Sequence, residues 1–168
     1  MTFQSTVEFV QGAGVVGEFY DNSPNRAEPF ILQSMDPANN IFGRVFTVVS
    51  EGVAQAGGVG VFGGFLVNPK GSTSYGTLAG GTLAPTLTLP NNAIGEILNM
   101  GSIFVSLPGA ANIGDLVIYD VLTGALSTVI PAGPIPVGFA FAHAVVDRFT
   151  VTAPGLAVIT ATDVPVAP

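Results

Sequence analysis

Short runs of β-branched and aromatic residues, cut every few positions by glycine or proline, make up nearly all of this sequence. Valine and glycine tie as the commonest residues at 22 each, and there are 13 prolines. No window sustains the three-to-four apolar spacing of an amphipathic helix, and lysine and glutamate, the usual residues of helix surfaces, are scarce. Such a chain reads as strands and turns. The clearest strand is 115–121, which turns at Leu122-Thr123-Gly124 and returns through 125–130, with Gly124 free to take the positive φ of a tight hairpin turn. A second hairpin is expected from 149–152, turning at Pro154-Gly155 into 156–160. Further strands are expected at 43–50, 60–67, 86–89, 101–107 and 139–146, and one short helix at 92–100. The fold class is therefore all-β, an antiparallel β-sandwich or barrel with an extended N-terminal segment. At 168 residues the chain is expected to form a single domain, 1–168, with an extended N-terminal arm within 1–28 and an extended tail at 163–168.

Only 9% of the residues are charged, against about 25% in ordinary soluble domains. So little charge wets a free surface poorly, and part of the exterior is expected to be covered by other protein. Net charge is −7, and the four cations Arg26, Arg44, Lys70 and Arg148 are scattered. Nucleic-acid binding, which needs clustered cations against phosphates, is not expected. Without cysteine there are no disulfides and no thiolate zinc sites. The first residues lack the basic start and apolar run of a secretory leader. The two long uncharged stretches, 52–69 and 121–146, are interrupted by glycines or prolines, so no membrane-spanning helix is expected.

Gly12-Ala-Gly14-Val-Val-Gly17 matches the G-x-G-x-x-G fingerprint of dinucleotide-binding turns. That site needs a helix beginning at the last glycine, with its amides aimed at a pyrophosphate. Here poor helix formers and Pro24 follow instead, so a turn or bulge in a β-rich segment is expected. His143 is the single histidine. It sits in an alternating strand pattern with no nucleophile elbow elsewhere, so no catalytic set is expected. Asp115 and Asp120 could form the carboxylate pair of a glycan hydrolase, but turn and strand-end acids explain them as well. Asp21-Asn-Ser-Pro-Asn25 echoes the start of a calcium loop without its later glycine and acid. No metal or cofactor is expected. Phe3, Phe9, Phe19 and Tyr20 make the N-terminal region aromatic. Core packing is one reading, anchoring on a partner the other, and these four with Arg26 are the residues expected to touch a partner.

The order of segments is also familiar. The stretch 13–26 (AGVVGEFYDNSPNR) resembles the opening of tailed-bacteriophage structural cement proteins, which decorate capsids. The segments 41–46, 58–68 and 101–107 follow in the family's order. The hairpin ANIGDLVIYDVLTG at 111–124 is similar to its most specific element. Two stretches depart from that pattern: the aliphatic 94–98, and Lys70-Gly-Ser-Thr-Ser-Tyr75, which stands where the family has a charged segment. The resemblance implies a non-enzymatic virion structural protein on the outer face of the assembled capsid, put together in the host cytoplasm. It also implies contact with the major capsid protein and with itself, as a homotrimer or else a dimer. A phage or cell-surface adhesion module is the alternative, and a β-sandwich glycan hydrolase a weaker third.

Overall fold

The computed structural model describes residues 14–68 and 88–162. Nine strands lie along these residues: β1 (Arg26–Leu32), β2 (Val45–Ser50), β3 (Val53–Ala56), β4 (Val61–Leu66), β5 (Ile94–Leu107), β6 (Leu116–Asp120), β7 (Leu126–Val129), β8 (Phe139–Asp147) and β9 (Gly155–Ala161). A single 3-10 turn, Pro37–Asn39, is capped by Asp36, whose carboxylate accepts from the Ala38 amide. The strands form one sheet in the order β1-β3-β2-β4-β5-β9-β8-β6-β7, and β1 also pairs with β5. That extra pairing closes β1, β3, β2, β4 and β5 into a five-stranded barrel. Closure removes the open edges that would otherwise invite aggregation. All pairings are antiparallel except β1 with β3, which is parallel at Ile31–Val53 and Leu32–Ala54.

β5 is the longest strand at 14 residues and serves both halves of the molecule. Its first half pairs with β1 and β4 in the barrel. Its second half pairs with β9, which leads through β8 and β6 to β7. Two apolar clusters follow from this division. Leu32, Phe46, Leu66 and Ile97 fill the barrel together with Phe42 and Leu89. Ile103, Val105, Val117, Tyr119 and Ile159 form the second cluster, joined by Val45, Phe65 and Leu98 from the barrel strands. On β8 the inward positions are Ala142, Ala144 and Val146. These small side chains let the sheet curl closely over its own core.

One end of the barrel is closed by a buried polar cluster. The fully buried Asn40 amide donates to the Leu89 carbonyl (3.0 Å) and to Asn91 Oδ1 (2.9 Å). The Ser34 hydroxyl donates to Asn40 Oδ1 and accepts from the Ala56 amide, while Asn91 bonds both backbone groups of Ser34. Each member is satisfied, as polar groups removed from water must be.

Two glycine turns fasten the β6–β7 hairpin to the barrel. Gly57 follows β3 and Gly124 lies in the β6–β7 turn, with φ of +67° and +69°. A Cβ at Gly124 would stand 2.4 Å from the Val45 carbonyl oxygen and 2.8 Å from the Gly57 nitrogen. Because neither residue has a Cβ, the backbones touch directly. Val45 N donates to the Gly124 carbonyl (3.0 Å), Gly58 N to the Val121 carbonyl (2.6 Å) and the Tyr119 hydroxyl to the Gly58 carbonyl (3.1 Å).

Two expectations need correction, and a third lies partly outside the described residues. Residues 92–100 are not helical but form the start of β5, where Gly95 faces the barrel interior. The predicted pairing of 149–152 with 156–160 does not form. β9 pairs with β8 and β5 instead, and Val151 makes only an isolated bridge to Ala111. β8 ends at Asp147, and Arg148 turns the chain there at φ +68°. Of the predicted strand 86–89, residues 86 and 87 lie outside the described residues, and Thr88 makes a bridge to Ile41.

Candidate interaction surface

Residues 17–20 lie along the second half of β5, on the edge opposite β9. Gly17 N donates to the Phe104 carbonyl (2.7 Å), Phe104 N to that of Glu18 (2.9 Å) and Tyr20 N to that of Ser102 (3.0 Å). β1 continues along the same edge from Arg26, opposite Met100. The chain from 17 to 32 is thus one run antiparallel to β5, interrupted by an excursion at 21–25. The excursion is an Asx turn: Asp21 Oδ1 accepts from the Ser23 amide (3.0 Å) and from the Ser23 hydroxyl. Those bonds, the hydroxyl's first, hold the Asp21 carboxyl below its ordinary pKa. Where the excursion rejoins the sheet, Asn25 Oδ1 sits so close to Gly101 that a Cβ there would stand 2.0 Å from it.

Around Tyr20 the aromatic residues converge. Its ring packs edge-on against Phe104 (5.5 Å between centroids) and Phe149 (6.0 Å). The Arg148 guanidinium lies over the Tyr20 ring at 5.7 Å. It also pairs with Asp147 (3.2 Å) and Asp21 (3.8 Å). One of the chain's few cations therefore pins Tyr20 and Asp21 to the β8–β9 connection.

Of the residues expected to touch a partner, Phe19 bridges Ile103 and packs on the β5–β9 core, and Tyr20 belongs to the aromatic group just described. Arg26 is exposed on β1, and its Nε donates to Asn99 Oδ1 (2.7 Å). Phe3 and Phe9 lie outside the described residues. Sequence reading missed Arg148 and Phe149. The available signal was one of only four cations standing next to an aromatic residue.

The other chemical candidates have local roles. Gly14 and Gly17 of the fingerprint precede no helix. Gly17, at φ +85°, starts the run against β5, and Gly12 lies outside the described residues. Asp115 accepts from the Asn112 amide, and Asp120 from those of Leu122 and Thr123. They stand at opposite ends of β6, on the order of 15 Å apart by strand rise, too far for a glycosidase pair. His143 occupies a bulge in β8 at φ +48°, its ring flanked by Phe62 (5.0 Å) and Phe141 (5.2 Å). It borders a cleft of about 240 Å³ with Val61, Gly63, Asn99 and Thr162. Among the described residues no group of three or more His, Asp or Glu side chains could hold a metal ion, and no helix is long and apolar enough to cross a membrane.

Large apolar side chains instead stand in water where the barrel meets the β6–β7 hairpin. Val59, Leu122 and Val137 are 86, 82 and 103% exposed. They follow one another in space because Gly58 N bonds the Val121 carbonyl and Val121 N bonds that of Gly138 (3.0 Å). Val61 and Val49 continue the exposed apolar residues along β4 and β2. Behind them Arg44 donates to Asn39 Oδ1 (2.8 Å) and the Thr123 carbonyl (3.1 Å), and burial lowers its pKa.

A closed barrel extended by further strands, with exposed apolar side chains at one junction, defines an all-β protein. Residues 3–162 match the model of the phage family described as structural cement protein (E217 gp24/Pam3 gp6), and the chain belongs to that family. It is a virion structural protein. Its fold is shared with a chain from the capsid of the Myoviridae phage XM1, at 16% identity and a TM-score of 0.61, covering 95% of this chain and 97% of that one. No curated protein matches the sequence.

Proposed function

We propose that this chain is a non-enzymatic decoration protein on the outer face of the assembled capsid. There it bridges neighbouring major capsid protein subunits, itself assembled as a homotrimer. The observation that carries the reading, beyond family membership, is the exposed apolar group Val59, Leu122 and Val137 in a chain with 9% charged residues. Apolar surface of this kind is stabilised by cover, and charge-poor surfaces suit the core of an interface. A bridge between subunits binds only the assembled lattice, so by mass action it stabilises that lattice. Copies repeated over the shell hold it by avidity without tight single contacts.

The test is co-sedimentation of purified chain with mature capsids and, separately, with free major capsid protein. Saturable binding to capsids alone supports the reading, and Leu122→Asp with Val137→Asp should lower occupancy at least tenfold. Equal binding to free subunits overturns the bridging role. Binding to host cells without binding to capsids would favour the adhesion alternative. Removing the residues before Gly12 is expected to reduce capsid occupancy more than thermal stability, and unchanged occupancy would count against an anchoring arm.

A further inference from the structure

We propose that residues 17–20 form an exchangeable strand, which in the assembled protein pairs with β5 of a second copy rather than with its own β5. This rests on the self-association reading above. The segment is separable. Its backbone bonds run to β5 and, through Asn68 N to the Gly17 carbonyl (2.8 Å), to the end of β4. It joins β1 only through the 21–25 excursion. β1 keeps its own ladder to the first half of β5 whether or not the preceding residues stay.

The excursion is where the closed form is least satisfied. Asn25 Oδ1 is the one buried side-chain polar atom among the described residues with no hydrogen-bond partner. It is held over Gly101, whose φ is +129°. A buried acceptor left without a donor is a standing cost of the folded state. Letting 21–25 extend toward a neighbour releases that oxygen to water, while every contact of 17–20 is remade in an identical seat. Five residues in extended form span about 17 Å, enough to reach an abutting copy. The seat also has the composition of an interface anchor: Tyr20, Phe104, Phe149 and Arg148 are of the types that dominate binding between proteins. Exchange of an identical element is a low-cost route to a closed oligomer.

The natural sequence has no cysteine, which makes a clean crosslinking test possible. Phe19 and Ile103 face each other as a non-hydrogen-bonded antiparallel pair, flanked by the Phe104–Glu18 and Tyr20–Ser102 bonds. Such pairs have Cα atoms about 4.5 Å apart, within disulfide range. The full chain carrying Phe19→Cys and Ile103→Cys is purified, its mass in solution measured by light scattering, then oxidised and run on a denaturing gel without reductant. Tyr20→Cys with Ser102→Cys serves if the first pair lowers the melting temperature too far. Single-cysteine variants control for chance contacts between copies. Exchange predicts an oligomer in which most of the chain migrates as covalent multiples, seen only with both cysteines. An oligomer whose chains carry only internal disulfides overturns exchange and leaves self-association standing. A monomer with internal disulfides overturns both.

Discussion

Gly124→Ala is expected to unfasten the β6–β7 hairpin from the barrel, and Gly52→Ala is its matched control. Both glycines have φ +69°, so both substitutions force alanine into the left-handed region. That strain costs about 1–2 kcal/mol, less about 0.4–1 kcal/mol regained from a stiffer unfolded chain. At Gly52 nothing lies within 4 Å of the new Cβ, so the net loss there stays at about 1 kcal/mol. At Gly124 the same Cβ meets the Val45 carbonyl oxygen at 2.4 Å and the Gly57 nitrogen at 2.8 Å, both backbone atoms that cannot rotate away. The turn must withdraw, taking with it the bond from Val45 N and loosening the bond between Gly58 and Val121. Each buried backbone group left unpaired costs about 1–3 kcal/mol. Gly124→Ala should therefore lose about 2–4 kcal/mol more than Gly52→Ala. In a domain of this size that excess lowers Tm by about 4–16 °C. Differential scanning calorimetry of the two variants beside the wild type measures it. If the two melt within about 2 °C of each other, the backbone contact does not hold the hairpin to the barrel.

Three further outcomes are expected. Asn40→Ala strands the Leu89 carbonyl and the Ser34 hydroxyl inside the barrel end, and should cost about 2–4 kcal/mol by urea denaturation; a loss below about 1 kcal/mol would mean that water replaces the side chain. Burial raises the Tyr119 phenol above its ordinary pKa. Its share of stability is then intact below about pH 10, where the unfolded phenol begins to ionise, and is lost as pH rises through the higher folded value. Urea midpoints should fall above pH 10 in the wild type and less steeply in Tyr119→Phe, and parallel profiles would exclude this residue as a source of alkaline sensitivity. Arg148→Ala removes the cation over Tyr20 and both ion pairs, so amide exchange at Tyr20 should quicken several-fold with little change in Tm; 1 M salt, which shortens screening to about 3 Å, should move the wild type part of the way, and equal exchange in both proteins would dismiss the latch.

Where β-branched and aromatic runs are bounded by glycine or proline, the fold was legible in the sequence. The β6–β7 hairpin with its Gly124 turn, β2, β4, β8, β9 and the second half of β5 fall close to their expected places. The first half of β5 was hidden because its pattern is inverted. Gly95 occupies an inward position against Leu66 and Leu32, while Ile94 stands exposed, so Ile94, Ile97 and Leu98 mimic a helical face. β1 was masked by Pro29, which a strand tolerates only where no donor is required. β1 meets β3 only at Ile31 and Leu32, so the proline breaks no bond on that side. β3 is four residues of valine, alanine and glutamine, too short for its alternation to stand out. As for the candidate surface, the aromatic pair Phe19 and Tyr20 could be read from composition. The apolar junction could not, because Val59, Leu122 and Val137 come from three separate loops joined only by the bonds of Gly58 and Gly138 to Val121.

A single 14-residue strand runs through both cores. Neither the barrel nor the sheet beyond it has a complete wall without β5, so the two are expected to melt as one unit. A load applied to residues 17–20 is borne lengthwise by the rungs joining them to that strand and shared by both halves.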